Sequence, residues 1–238
     1  MKLDRVTMTG ADDSVRPEQL SEVSQDFPFV EWGILLSASS IGSPRFPSMN
    51  WLMALARVSH LSLSFHVCGR WVREICNGNW TPLFTNVGPV LELGRRVQLN
   101  FHSCLHLVIP GFVDAAKSRC QAHDWQLIFQ CDGVNDYLVS NVYDDGLDAV
   151  PLYDKSGGAG ILPGEWPIAM KGIYSGYAGG LGPDSLESEL PAIATAAGEE
   201  RFWIDMETKV RSSDDRAFNL DAVRRCLEIC ESKVMATR

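Results

Sequence analysis

Two glycine clusters carry the first chemical signal. Val150 to Tyr153 and Ile173 to Ala178 are short apolar runs, followed by Gly157-Gly158-Ala159-Gly160 and by Gly179-Gly180-Leu181-Gly182 respectively. Without a Cβ in the way, such turns can aim backbone N–H groups at an anion, and a helix starting behind them would add its positive end. Asp154 stands between the first run and its glycines, where a strand hands over its last side chain. The stretch therefore offers an anion site and a proton donor. Lys155 and Lys171 suggest a Schiff-base lyase or aldolase as a rival chemistry. Lys155, however, follows Asp154 by one residue and would face away from it on a strand.

Positioning these groups takes a sheet. Strand-like runs recur at Asp4 to Thr9, Phe29 to Leu36, His60 to His66, Arg96 to Phe101, Trp125 to Gln130, Ala149 to Tyr153, Gly172 to Ala178 and Phe202 to Met206. Helix-like segments lie between them at Pro17 to Val23, Met49 to Arg57, Trp71 to Cys76, Asp114 to Ala122, Asp184 to Ala197 and Leu220 to Val234. The alternation predicts a parallel α/β protein. Eight such units in 238 residues predict a single-domain (β/α)8 TIM barrel over residues 1–238. An open doubly wound sheet is the alternative, but the early glycine fingerprint for dinucleotides is missing. Residues 76–94 and 102–114, rich in Gly, Pro, Asn and aromatics, are expected to be irregular insertions.

Composition narrows the partners. A net charge of −9 argues against nucleic acid and against anionic membranes, so an anionic ligand must be held locally. Neither a leader pattern nor an apolar run of about 18 residues is present, which predicts a cytoplasmic protein. The 7 cysteines include no Cys-x-x-Cys pair, and Cys226 and Cys230 lack nearby histidines, so no metal site is expected. No cofactor is expected either. The expected partner is a small phosphorylated substrate, and the oligomeric state is left open.

The strand ends, taken in order, resemble phosphoribosylanthranilate isomerase, a (β/α)8 barrel of tryptophan biosynthesis. Val6-Thr7-Met8-Thr9-Gly10 is similar to its Val-Lys-Ile-Cys-Gly, Ser43-Pro44-Arg45-Phe46-Pro47-Ser48 to its Ser-Pro-Arg-Tyr-Val-Ser, and Val97-Gln98-Leu99-Asn100 to its Val-Gln-Leu-His. Asp154, Gly157 to Gly160 and Glu165-Trp166 are similar to Asp, Gly-Gly-Thr-Gly and Asp-Trp. Ala178 to Asp184 looks like Ala-Gly-Gly-Leu-Thr-Pro-Glu, and Ile204-Asp205 looks like the Val-Asp of the last strand. The resemblance implies an Amadori rearrangement, an aldose–ketose isomerisation that needs an acid at the ring oxygen and a base at the adjacent carbon. It implies Asp154 as the acid and Arg45 as the holder of a substrate carboxylate. Phosphate is implied at Gly157, Gly158, Gly160, Gly179 and Gly180, with Asp205, Thr208 and Lys209 at the last strand.

Three departures bear on activity. Thr9 replaces the family's cysteine base, and a threonine hydroxyl has no comparable ionised state. Asp12, Asp13, His66 and Cys68 are the candidate substitutes, and Thr9→Cys is expected to restore rate. Glu207-Thr208-Lys209 replaces Ser-Ser-Gly, which shifts phosphate binding from backbone toward the Lys209 ammonium, and Asn100 replaces a histidine. An active isomerase, another phosphosugar isomerase or lyase, and a barrel that binds a phosphate or carboxylate ligand without turnover remain the three readings.

Overall fold

A computed structural model describes residues 1–101, 109–134 and 136–235. Eight strands, β1 (Leu3–Thr9), β2 (Val30–Ser37), β3 (Leu63–Cys68), β4 (Arg96–Leu99), β5 (Gln126–Cys131), β6 (Ala149–Tyr153), β7 (Ser175–Ala178) and β8 (Phe202–Met206), close into a barrel in chain order. Every neighbouring pair is parallel, and β8 returns to β1 with Thr7 opposite Asp205. Around it lie α1 (Pro17–Asp26), α2 (Met49–Leu55), α3 (Arg70–Cys76), α4 (Thr81–Leu91), α5 (Ile109–His123), α6 (Tyr137–Asp144), α7 (Leu186–Ala197) and α8 (Leu220–Glu231). A 3-10 turn, Thr208–Val210, follows β8. The fold is the expected (β/α)8 barrel.

The connections differ from the regular scheme in two places. Residues 76–94 are not irregular, because they hold α4 as a second helix between β3 and β4. Pro82 sits in its first turn, where a missing N–H costs nothing, and Leu83, Val87, Val90 and Leu91 form its buried face. The second expected insertion begins in residues 102–108, outside the described residues, and ends inside α5. Between β6 and β7 no helix forms at all. Pro163-Gly164 and Pro167 interrupt that segment, and Trp166 and Met170 cover the core from a loop instead. Strand β3 also starts later than His60, which lies in the entering turn with φ +66°.

Strand alternation sorts the side chains into an outer core and a barrel interior. Val6, Met8, Trp32, Ile34, Phe65 and Val67 belong to the large cluster under the helices. The interior is divided: Ile128, Val150, Leu152 and Trp203 form a small apolar cluster on one side. Opposite them the lumen is polar. Glu31 of β2 accepts from Arg96 of β4 at 2.8 Å and from Arg5 and Thr7 of β1 at 2.8 and 3.0 Å. A bond between β2 and β4, which are not neighbours, can only cross the lumen. Arg96 also stacks over Trp203 at 4.0 Å, joining the polar half to the apolar one.

Candidate active site

The strand ends open on a cavity of about 390 Å³. It lies at the C-terminal rim, the face where barrel loops assemble sites. Arg45, Cys68, Asp154, Gly157, Gly158, Gly160, Gly179, Gly180, Asp205, Thr208 and Lys209 all line it, so one cavity gathers most of the expected site. Thr9, Asp12, Asp13, Lys155 and Lys171 do not line it.

Asp154 is held by its own loop. Ser156 donates to Oδ1 through both its backbone N–H at 3.2 Å and its hydroxyl at 2.7 Å. Gly158 N–H and the Gln130 amide donate to Oδ2 at 2.7 and 2.8 Å. Accepting at both oxygens is the pattern of an ionised carboxylate, not of a proton donor. The acid role implied for Asp154 therefore does not fit its bonds.

The same bonds close the first glycine turn. Gly157 N–H goes to the Asp154 carbonyl, Gly158 N–H to its carboxylate, and Gly160 N–H to the Ser156 hydroxyl. Those groups are spent, and no helix follows to add a dipole, so this turn is not the expected anion cradle. The second turn is glycine for a steric reason. Gly180 has φ +67°, and a Cβ there would lie 2.5 Å from Leu162 N. The β6–β7 loop crosses directly over it.

A threonine–carboxyl–imidazole group lies at the floor. Thr9 is buried and its hydroxyl donates to Asp205 Oδ1 at 2.7 Å. His66 Nε2 stands 3.9 Å from Asp205 Oδ2 and is buried without a hydrogen-bond partner. Gly33 on β2 leaves the gap that lets Thr9 and His66 approach one another. Burial raises the Asp205 pKa well above the ordinary carboxylate value, the Thr9 bond opposes this, and the charges of Glu207, Glu31 and Asp154 raise it further. Asp205 thus keeps its proton where free carboxyls have lost theirs. Burial also pushes His66 down to about 3, leaving a neutral imidazole. Cys68 is pushed up to about 12 by burial, so it offers no thiolate.

Arg45 and Asp12 belong to a ring of ions above this floor. Arg45, at φ +74°, donates from Nη1 to Glu207 at 2.5 Å and from Nε to Asp215 at 2.7 Å. Its implied carboxylate partner is already supplied by the chain. Asp12 accepts from Arg211 Nη2 at 2.8 Å, Arg45 N–H at 2.7 Å and Ser14, which ties the first, second and last loops together. Asp13 caps α2 through Ser48. Neither acid is placed to act as the substitute base. Glu207, which in the sequence stands only as a departure from the family pattern, lines the cavity and accepts from Arg45. Burial and the charges of Asp154 and Asp215 raise its pKa, while Arg45 lowers it.

Gln98 and Gln130, for which the sequence suggests no role, are aimed inward by alternation from Arg96 and Ile128. Gln98 donates to Asn100 at 2.8 Å, Asn100 donates to Cys68 Sγ at 3.1 Å, and Gln98 Oε1 is left buried and unpartnered. Among the described residues no group of three or more His, Cys, Asp or Glu could hold a metal ion. No helix there is long and apolar enough to cross a membrane.

No family model and no curated protein matches the chain. Solved structures do. A phospho-2-dehydro-3-deoxyheptonate aldolase (DAHP synthase) from Thermotoga maritima superposes over 97% of this chain and 68% of its own, at 9% identity and a TM-score of 0.57. A structure of monomers of the dimeric phosphoribosylanthranilate isomerase from Thermotoga maritima aligns over 97% of this chain and 100% of its own, at 10% identity and a TM-score of 0.48. The aldolase likeness establishes the barrel fold alone. The looser isomerase alignment carries no further argument.

Proposed function

We propose that the barrel is an aldose–ketose isomerase for a small phosphorylated sugar or ribosylamine, of the phosphoribosylanthranilate isomerase type or a diverged relative, with Asp205 and Asp154 as its proton carriers. The observation that carries this is a pair of carboxyls on one cavity in opposed environments. Asp205 is buried with a raised pKa, and Asp154 accepts hydrogen bonds at both oxygens. Such divergence is how one site holds an acid and a base together.

In the proposed reaction Asp205 gives its proton to the sugar ring oxygen, and the ring opens to an iminium or, in a simple sugar, to a carbonyl that keeps the proton of the anomeric hydroxyl. Asp154 then removes the proton from the adjacent carbon, and the resulting enol or enamine tautomerises to the ketose. The Ser156 hydroxyl is a rotor and can release Oδ1 as that proton arrives. The proton returns from Asp154 to Asp205, so none is gained or lost. Thr9, in the place of the missing cysteine, holds the acid in position.

The test is turnover of phosphoribosylanthranilate and of simple pentose phosphates by wild type, Asp205→Asn and Asp154→Asn. Each variant is expected to lose about 10²- to 10⁴-fold in kcat while ligand affinity changes little. An Asp205→Asn protein at wild-type rate contradicts the assignment. The saturated bonding of Asp154 favours one other reading, a binding barrel without turnover, for which wild type would bind a sugar phosphate and isomerise none.

A further inference from the structure

Resting on the sugar-phosphate reading, we propose that the substrate is anionic at both ends, and that Arg73 anchors the second anion on the far side of the cavity from the glycine turns. The carboxyls of Asp154 and Glu207, beside a neutral Asp205, make the centre of the cavity unwelcoming to anions. Arg45, the cation nearest them, spends Nε and Nη1 on Asp215 and Glu207. Two other cations line the cavity: Arg73 and Lys209. Neither makes an ion pair or side-chain hydrogen bond among the described residues.

Their places in the barrel set them apart. Lys209 follows β8 and packs against Gly182 of the β7 turn, so it serves the glycine-rich side. Arg73 lies on α3, behind β3, and β3 is separated from β8 by both β1 and β2. Between them the floor presents two buried, unpartnered polar atoms, Gln98 Oε1 and His66 Nε2. Unpaired groups of that kind need a ligand to satisfy them. Hydroxyls of a sugar chain would do so, while an apolar ring would leave both orphaned. The arrangement therefore fits a short polyol with an anionic group at each end, which a planar guanidinium at Arg73 would grip through two N–H groups.

Ribulose 5-phosphate and ribulose 1,5-bisphosphate are suitable probes, because they differ only in the second phosphate. Calorimetric titration of wild type, Arg73→Gln and Arg73→Lys is the experiment. Wild type is expected to bind the bisphosphate about tenfold tighter, Arg73→Gln to lose that advantage without weakening for the monophosphate, and Arg73→Lys to keep part of it. Arg73 is exposed, so these variants are expected to fold as wild type does. Equal affinity of wild type for the two probes, or an equal loss for both in Arg73→Gln, overturns the second anion site and leaves the sugar-phosphate reading standing. Failure of wild type to bind either probe overturns both.

Discussion

At the scale of single residues, Thr9 is the position at which the resemblance to the isomerase family departs most, and its surroundings bear on what it can do. A cysteine there would act on substrate only if it faced the cavity. Thr9 instead is 1% exposed, turned toward β8, and bonded to Asp205. Thr9→Cys is therefore not expected to raise the isomerisation rate. It is expected to lower it, because a thiol is a weak donor and Asp205 loses the hydrogen bond from the Thr9 hydroxyl. Steady-state kinetics of that variant decide the matter, and a gain of 10²-fold or more would return the base to position 9. Asp205 itself could be found in the sequence by its Ile204-Asp205 motif. Its protonation could not, since it depends on burial and on charges contributed by β2, β6 and the loop after β8.

Among the elements, the β6–β7 loop has the most consequence for the site. It supplies Asp154, closes the first glycine turn on that carboxylate, and lies over the second turn at Ile161 and Leu162. The glycines that read as phosphate ligands are in part the contact surface between two loops. Gly180→Ala is expected to cost about 1–3 kcal/mol, through a left-handed φ and a Cβ driven into Leu162 N. Urea unfolding at unchanged slope checks this, and limited proteolysis is expected to show faster cutting within 154–174. A variant as stable and as resistant as wild type would mean that the loop is not fastened there. Helix α4 and this helix-free connection were hidden in the sequence for one reason. Proline marks the start of a helix in Thr81-Pro82 and, with glycine, interrupts one in Pro163-Gly164, and only packing tells the two uses apart.

For the molecule as a whole, the alternation of strands and helices was enough to read the barrel, because both faces of a parallel strand are buried and its apolar run is hard to mistake. Strand ends and their acids were readable for the same reason. The lumen network of Arg5, Glu31 and Arg96, the neutral His66 and the engagement of Arg45 were not, because each is a relation between strands far apart in the chain. Of the four candidate replacements for the missing base, two, Asp12 and Asp13, serve loop architecture, and Cys68 is held as a thiol. In the proposed reaction the acid, Asp205, stands instead on β8 and the base, Asp154, just past β6, and both line one cavity. The proposed reaction depends on the protonation state of Asp205, which carboxyl ¹³C NMR reads directly. With aspartate side chains labelled and Asp205 assigned by its loss in Asp205→Asn, a titration from about pH 3 to pH 8 is expected to show Asp205 protonated well above the ordinary aspartate pKa of about 3.9. An Asp205 carboxyl that ionises at or below that value would contradict the account, since the site would then hold no acid.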